Sequence, residues 1–478
     1  MDHALFLAEW ALNPGGSRKG SIGARLARAR LLSHPELVTW CREARLRADS
    51  TPGQRRLELL EKQSLDAQLQ NFPAIARANA RIERKIFGFR PQWKGRRVPL
   101  SQLWDLISRE PDPVARRAGY YANEPLFASL EPEVRELLAA QNIRARELGF
   151  PNYPEARLSL EGLSVKFLRR LLEPFPTLGL RASLAMRDRA GGESWCPWDM
   201  MLAQGPGSVR AKNGFLGRDC LPAVRHGLRA WGFGTEDLSF RFQRYDTPLA
   251  GQAIIGDAPR DVGVIANPRD GPIYYSILFH EMGHGIHGRS VRGSSHLVRS
   301  LGFGGFDESI GGLFESIASD RAWLQTRPGV SREQAARMRR ESFEGLAFRM
   351  AELVGEVRSE LRLYSDPNAD LREERKRYLK QSLGYDDHEP ISWVDPYYLS
   401  PGFYRQSYVL ASCFDEQVSQ AGLRAVGGDF WPNPRLGPWL KKTWLRPGQR
   451  DEWVPKVLQV TGKPLGPEAF VEAIRRET

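Results

Sequence analysis

The chain has 478 residues, 41 % of them hydrophobic and 26 % charged, and carries a formal net charge of +12. That length and balance describe a soluble globular protein able to bury a large core, ordinarily divided into two or three domains. No apolar run approaches 20 residues, which excludes a membrane-spanning helix, and residues 1–12 place an acid before a short interrupted apolar stretch, unlike a secretory signal. Cys41, Cys196, Cys220 and Cys413 are scattered without a Cys-x-x-Cys pair, and read as buried free thiols of a reducing cytoplasm. The positive charge reads as arginines interleaved with acids on solvated helix faces, as in residues 42–49 and 371–377. No zinc-finger spacing, aromatic RNA motif or continuous basic tail supports nucleic-acid recognition; a basic lining of an internal channel stays open.

Along the chain, residues 1–20 read as a short helix ending at Asn13-Pro-Gly-Gly-Ser17. Apolar residues at three- and four-residue steps predict helices from about 21 to 90. Gly88–Pro99 reads as a loop or boundary, and helices resume from about 100 to 149, one opened by Pro111-Asp-Pro113. Pro151-Asn-Tyr-Pro154 breaks the chain, residues 162–190 read as helical, and 191–198 as a loop. Leu238–Tyr245, Ala253–Ile255 and Val262–Ala266 alternate or cluster like short strands, predicting a small sheet with an exposed edge near residues 250–254 that could pair with an extended peptide, or a plain hairpin. Residues 331–383 read as long helices.

The chemistry concentrates at His280-Glu281-x-x-His284. Residues four apart share one helix face, so both imidazoles can reach one zinc ion, and Glu281 lies beside them where a carboxylate can deprotonate an attacking water. A catalytic zinc takes three protein ligands and keeps one position open, so a third ligand must come from elsewhere. Glu308 and Glu315 are seven apart on one face of a second predicted helix; Glu308 reads as the ligand and Glu315 as a carboxylate orienting a histidine, while Asp307 reads as a helix N-cap. Which carboxylate meets the metal stays open. His287 reads as a support of the metal helix or a wall of the site.

His-Glu-Met-Gly-His with the Glu of Phe306-Asp-Glu-Ser-Ile-Gly-Gly312 resembles the angiotensin-converting-enzyme family of metallopeptidases. Leu278–His287 is also similar to the thimet oligopeptidase and oligopeptidase F group, with further likeness at Arg144–Tyr153, Trp198-Asp199 and Val460–Pro467. The resemblance covers about residues 110–478, and it implies a mainly α, zincin-type helical metallopeptidase with a deep substrate channel. Aligning Phe414-Asp-Glu416 with the converting-enzyme pattern puts Tyr404 at that family's catalytic tyrosine, a donor to the oxyanion. Aligning Pro401-Gly-Phe-Tyr404 with oligopeptidase F puts Gly402 where its histidine stands and Leu410 where a tyrosine stands, leaving His388 as the nearby substitute. Tyr397, Tyr398 and Tyr408 read equally as aromatic core.

The expectation is a zinc-dependent peptidase cleaving peptides in an enclosed cleft, with His280, His284 and Glu308 on zinc, Glu281 as general base and Tyr404 as oxyanion donor. Residues 1–165 would cover the channel and residues 166–478 carry the catalytic region. The rival readings are a zinc-binding peptide-binding module with impaired catalysis, motivated by Gly402, and a basic nucleic-acid-associated protein. Oligomeric state and cleavage preference are not written in the sequence.

Overall fold

The computed structural model describes residues 30–48, 50–192, 194–204, 214–236, 238–242, 251–255, 258–267, 269–293, 295–389 and 402–478. Helices α1 (Pro35–Leu46), α2 (Thr51–Gln70) and α3 (Pro73–Gly88) begin the described chain. Each has a proline in its first two positions, where the missing N–H costs no intrahelical bond. The Gly88–Pro99 stretch, read from sequence as a loop, contains a two-stranded hairpin, β1 (Gln92–Trp93) and β2 (Arg96–Arg97). Its two turn residues, Lys94 (φ 49°) and Gly95 (φ 72°), both have the positive φ that a two-residue hairpin with the native strand twist requires.

Helices α4 (Leu100–Ile107), α5 (Pro113–Tyr121), α6 (Glu124–Glu147), α7 (Tyr153–Leu160), α8 (Val165–Leu171) and α9 (Phe175–Arg189) follow. Asp112 caps α5 by accepting from Val114 N (3.0 Å), just ahead of Pro113. At the Pro151–Pro154 break, Asn152 accepts from Glu155 N (2.9 Å), so that the break is also the start of α7. After α10 (Pro197–Gln204) and α11 (Cys220–Ala230) comes a three-stranded sheet of β3 (Ser239–Phe242), β4 (Gly251–Ile255) and β5 (Val262–Ala266). Its order is β3-β5-β4, β5 running parallel to β3 and antiparallel to β4, with Ala253 opposite Val264. β5 is buried along its length, and β4 forms an edge.

The sheet lies beside α12 (Pro272–Ser290), and α13 (Gly304–Glu315) packs against both α12 and the later helix α16 (Gln406–Val426). Between them in sequence come α14 (Arg332–Ser365) and α15 (Arg372–Leu383); α16 (Gln406–Val426), α17 (Trp453–Thr461) and α18 (Glu468–Glu477) end the chain. α14 has 34 residues and opens on a capping box between Ser331 and Gln334; at 1.5 Å per residue it is about 50 Å long. One buried apolar cluster runs from Val38 in α1 to Ile474 in α18. The expectation of a mainly helical chain with a small sheet beside the His280–His284 helix holds. Among the described residues no helix is long and apolar enough to cross a membrane, and all four cysteines are buried and unpaired.

Candidate metal centre

The 3.6-residue period of α12 sets His280 and His284 one turn apart on one face, while Phe279 and Met282 point into the core. Their Nε2 atoms lie 3.0 Å apart, and Glu308 Oε2, from α13, lies 3.2 Å from His280 Nε2. The three donor atoms lie within 4.8 Å of one another.

The other nitrogens are held from behind. His280 Nδ1 meets Glu315 Oε2 at 3.0 Å, and Ser276 Oγ donates to Glu315 Oε1 at 2.5 Å. His284 Nδ1 meets Asp307 Oδ1 at 3.1 Å. A carboxylate accepts only, so each Nδ1 carries the hydrogen and the two Nε2 lone pairs converge. Glu308 Oε2 is buried with no hydrogen-bond donor among the described residues. Lone pairs crowded together around an orphaned carboxylate oxygen need a cation between them. A Cβ on Gly311 would stand 2.5 Å from His280 Nε2 and 2.8 Å from His284 Nε2, so glycine keeps that space open. Two imidazoles, one carboxylate and a carboxylate behind each imidazole are the donor set of a catalytic zinc. Burial lowers the His280 pKa, but hydrogen bonds to the Glu308 and Glu315 carboxylates outweigh it and raise the pKa well above the usual imidazole value.

Glu281, the next residue along α12, accepts a hydrogen bond from Ala253 N at 2.5 Å, on the outer edge of β4. Burial raises its pKa, opposed by the neighbouring His280 and His284, which suits a base. Tyr404 OH donates to Glu308 Oε1 at 2.5 Å. Burial, and then the Glu308 charge, hold its pKa well above that of a free phenol, so it keeps its proton as a donor. The carboxylates behind the imidazoles are partly exposed, Glu315 at 41 % and Asp307 at 34 %, whereas Glu308 is only 9 % exposed.

The expected metal residues and both expected catalytic residues therefore meet at one point. Asp307 is not the N-cap the sequence suggested: α13 starts at Gly304 with Phe303 as its N-cap, which turns Asp307 inward onto His284. His388 is instead packed against Trp198 and Tyr385, with Nδ1 2.8 Å from Asp386 O. Tyr397 and Tyr398 lie outside the described residues. His287 is fully buried edge-on to Phe306, its ring nitrogens lack partners among the described residues, and burial pushes its pKa down to about 4. Gly402, where oligopeptidase F has a histidine, has φ 80°, and a Cβ there would lie 2.5 Å from Gln141 Nε2. The Ala253 N–H, Ser276 and the buried Glu161, which accepts from Gly305 N at 2.8 Å at the start of α13, went unread in the sequence.

Two solved structures are similar over nearly the whole length. An M32 carboxypeptidase from Deinococcus radiodurans R1 matches at 18 % identity with a TM-score of 0.66, covering 98 % of this chain and 94 % of that one. Trypanosoma cruzi metallocarboxypeptidase 1 matches at 16 % identity and the same score, over 99 % and 96 %. The chain has the fold of these carboxypeptidases. No family model and no curated protein matches it. The carboxypeptidase fold thus stands where the motifs alone resembled the thimet oligopeptidase and converting-enzyme families.

Proposed function

We propose that this protein is a zinc-dependent peptidase that trims residues from the C-termini of peptides. The observation that carries the reading is the convergence of His280 Nε2, His284 Nε2 and Glu308 around an orphaned carboxylate oxygen, next to a carboxylate base. His280, His284 and Glu308 hold the zinc. When bound, the ion supplies Lewis acidity, lowering the pKa of a water and polarising a carbonyl. Glu281 takes the proton from the attacking water and passes it to the leaving amine, its second oxygen fixed by the Ala253 N–H. The Tyr404 hydroxyl donates to the oxygen that gains negative charge. The edge of β4 lines up an extended peptide by main-chain hydrogen bonds. C-terminal trimming, rather than internal cleavage, is favoured by the likeness to two carboxypeptidases.

The test is metal content plus peptide turnover followed by mass spectrometry. The expected result is one zinc per chain and stepwise loss of C-terminal residues, blocked by C-terminal amidation. Internal cuts would overturn the exopeptidase half of the reading. Glu281→Gln is expected to keep its zinc while kcat falls about 10³-fold, and Tyr404→Phe to lose about 10²-fold. One zinc with no turnover in wild type or variant would assign a peptide-binding module instead.

A further inference from the structure

Tyr404 reaches Glu308 from a segment that its own sequence would not hold in place. Gly402 has φ 80° and Phe403 φ 48°, and the second is a left-handed conformation that a bulky side chain rarely adopts. Such strain persists only where the surroundings over-determine it. Phe403 is buried edge-on to Tyr364 at 6.1 Å, and its carbonyl accepts from Gln406 Nε2 at 2.7 Å. The Tyr364 hydroxyl donates to Gln141 Oε1 at 2.7 Å, placing the glutamine amide against Gly402.

The residue after Tyr404 is a buried cation, Arg405, 3 % exposed. Its Nε lies 2.8 Å from Glu356 Oε2 and its Nη1 3.3 Å from Glu360 Oε1. These carboxylates are one turn apart on α14, so they face the same way, and both are buried. A buried ion triad is weak grounds for stability, because desolvation offsets the attraction, whereas its fixed geometry restricts where the backbone can lie.

We propose that Arg405, clamped between Glu356 and Glu360, is a positioning residue for Tyr404, holding the 402–405 backbone so that the phenol stays on Glu308 at the metal centre. The catalytic consequence rests on the reading of Tyr404 as oxyanion donor; the consequence for metal binding does not.

The experiment is a double-mutant cycle on the full chain, with zinc affinity by competing chelator and steady-state peptide hydrolysis as two readouts. Tyr404→Phe removes a hydrogen bond to a ligand carboxylate and should weaken zinc about tenfold. Arg405→Lys keeps the charge but loses the guanidinium fork, and should weaken zinc to a similar degree and lower kcat with KM little changed. The double variant should be no worse than the more affected single one, because Arg405 acts through Tyr404. Glu360→Gln, which leaves the Arg405–Glu356 pair, repeats the test with smaller losses should Arg405→Lys fold poorly. Wild-type zinc affinity in both Arg405→Lys and Glu360→Gln, or losses that multiply in the double variant, would overturn the inference. Coupled zinc losses with kcat untouched in Tyr404→Phe would instead overturn the oxyanion role and leave the positioning role standing.

Discussion

The two halves of the metal centre are built on different principles. α12 supplies His280, Glu281 and His284 within five residues; helical period alone aims the two histidines at one point, and the Ala253 N–H holds Glu281 beside them. The other half comes from far along the chain: Glu315 meets His280 across 35 residues, and Tyr404 meets Glu308 across 96. Nothing local aims those side chains. They arrive because α13 packs into a narrow space between α12 and α16, with glycine at the points of closest approach. The α12 half should therefore tolerate packing changes that ruin the α13 half.

The largest expected effect tests that contrast directly. Gly311→Ala alters no ligand yet sets a methyl against both Nε2 atoms, and zinc affinity should fall at least about a hundredfold by chelator competition. Wild-type affinity would mean that α13 can retreat without harm.

A second effect follows pH. Burial pushes the Glu161 pKa up to about 7, against the pull of Arg157 and the backbone N–H groups of Gly305 and Phe306. An unfolded glutamate ionises near 4.5. Between those values the folded chain keeps a proton that the unfolded chain has released, so stability is lost as pH rises through this window. Glu161→Gln lifts that penalty and should stabilise the protein by about 1–3 kcal/mol at pH 8.5. Denaturant melts should show the gain shrinking toward pH 5; a pH-independent difference would count against it.

Glu315→Gln removes the charge behind His280 and should weaken zinc by about tenfold, with the fold unaffected in the same melts. The smallest effect lies remote from the site, at the β1–β2 turn. Gly95→Ala, at φ 72°, should cost about 1 kcal/mol of stability while zinc content and turnover stay unchanged.

What was legible in the sequence follows the same division. Helix period exposed the α12 trio, and alternation and β-branched runs exposed the strands. Glu308 and Glu315 were visible as a pair because they share a helix face. The start of α13 was not visible, since Gly302–Gly305 has the composition of a loop, and placing the helix start at Asp307 hid the contact with His284. The glycines are there because Tyr404 and Glu161 occupy the space beside Gly304 and Gly305. Arg405 and Glu161 were equally hidden, because a single charged residue beside a turn reads as solvated until its burial is known.

Four of the twelve residues of α13 are glycine, at 304, 305, 311 and 312. Each disfavours helix by about 1 kcal/mol relative to alanine, so this segment has little tendency to coil by itself. It is helical because atoms of Tyr404, Glu161, His280, His284 and Asp415 fill the places its side chains would take. During folding, His280 and His284 can form a weak two-point chelator as soon as α12 exists, whereas Glu308 joins only when α12 and α16 have closed around α13. Tight metal capture thus depends on tertiary packing, not on the local sequence that carries the two histidines.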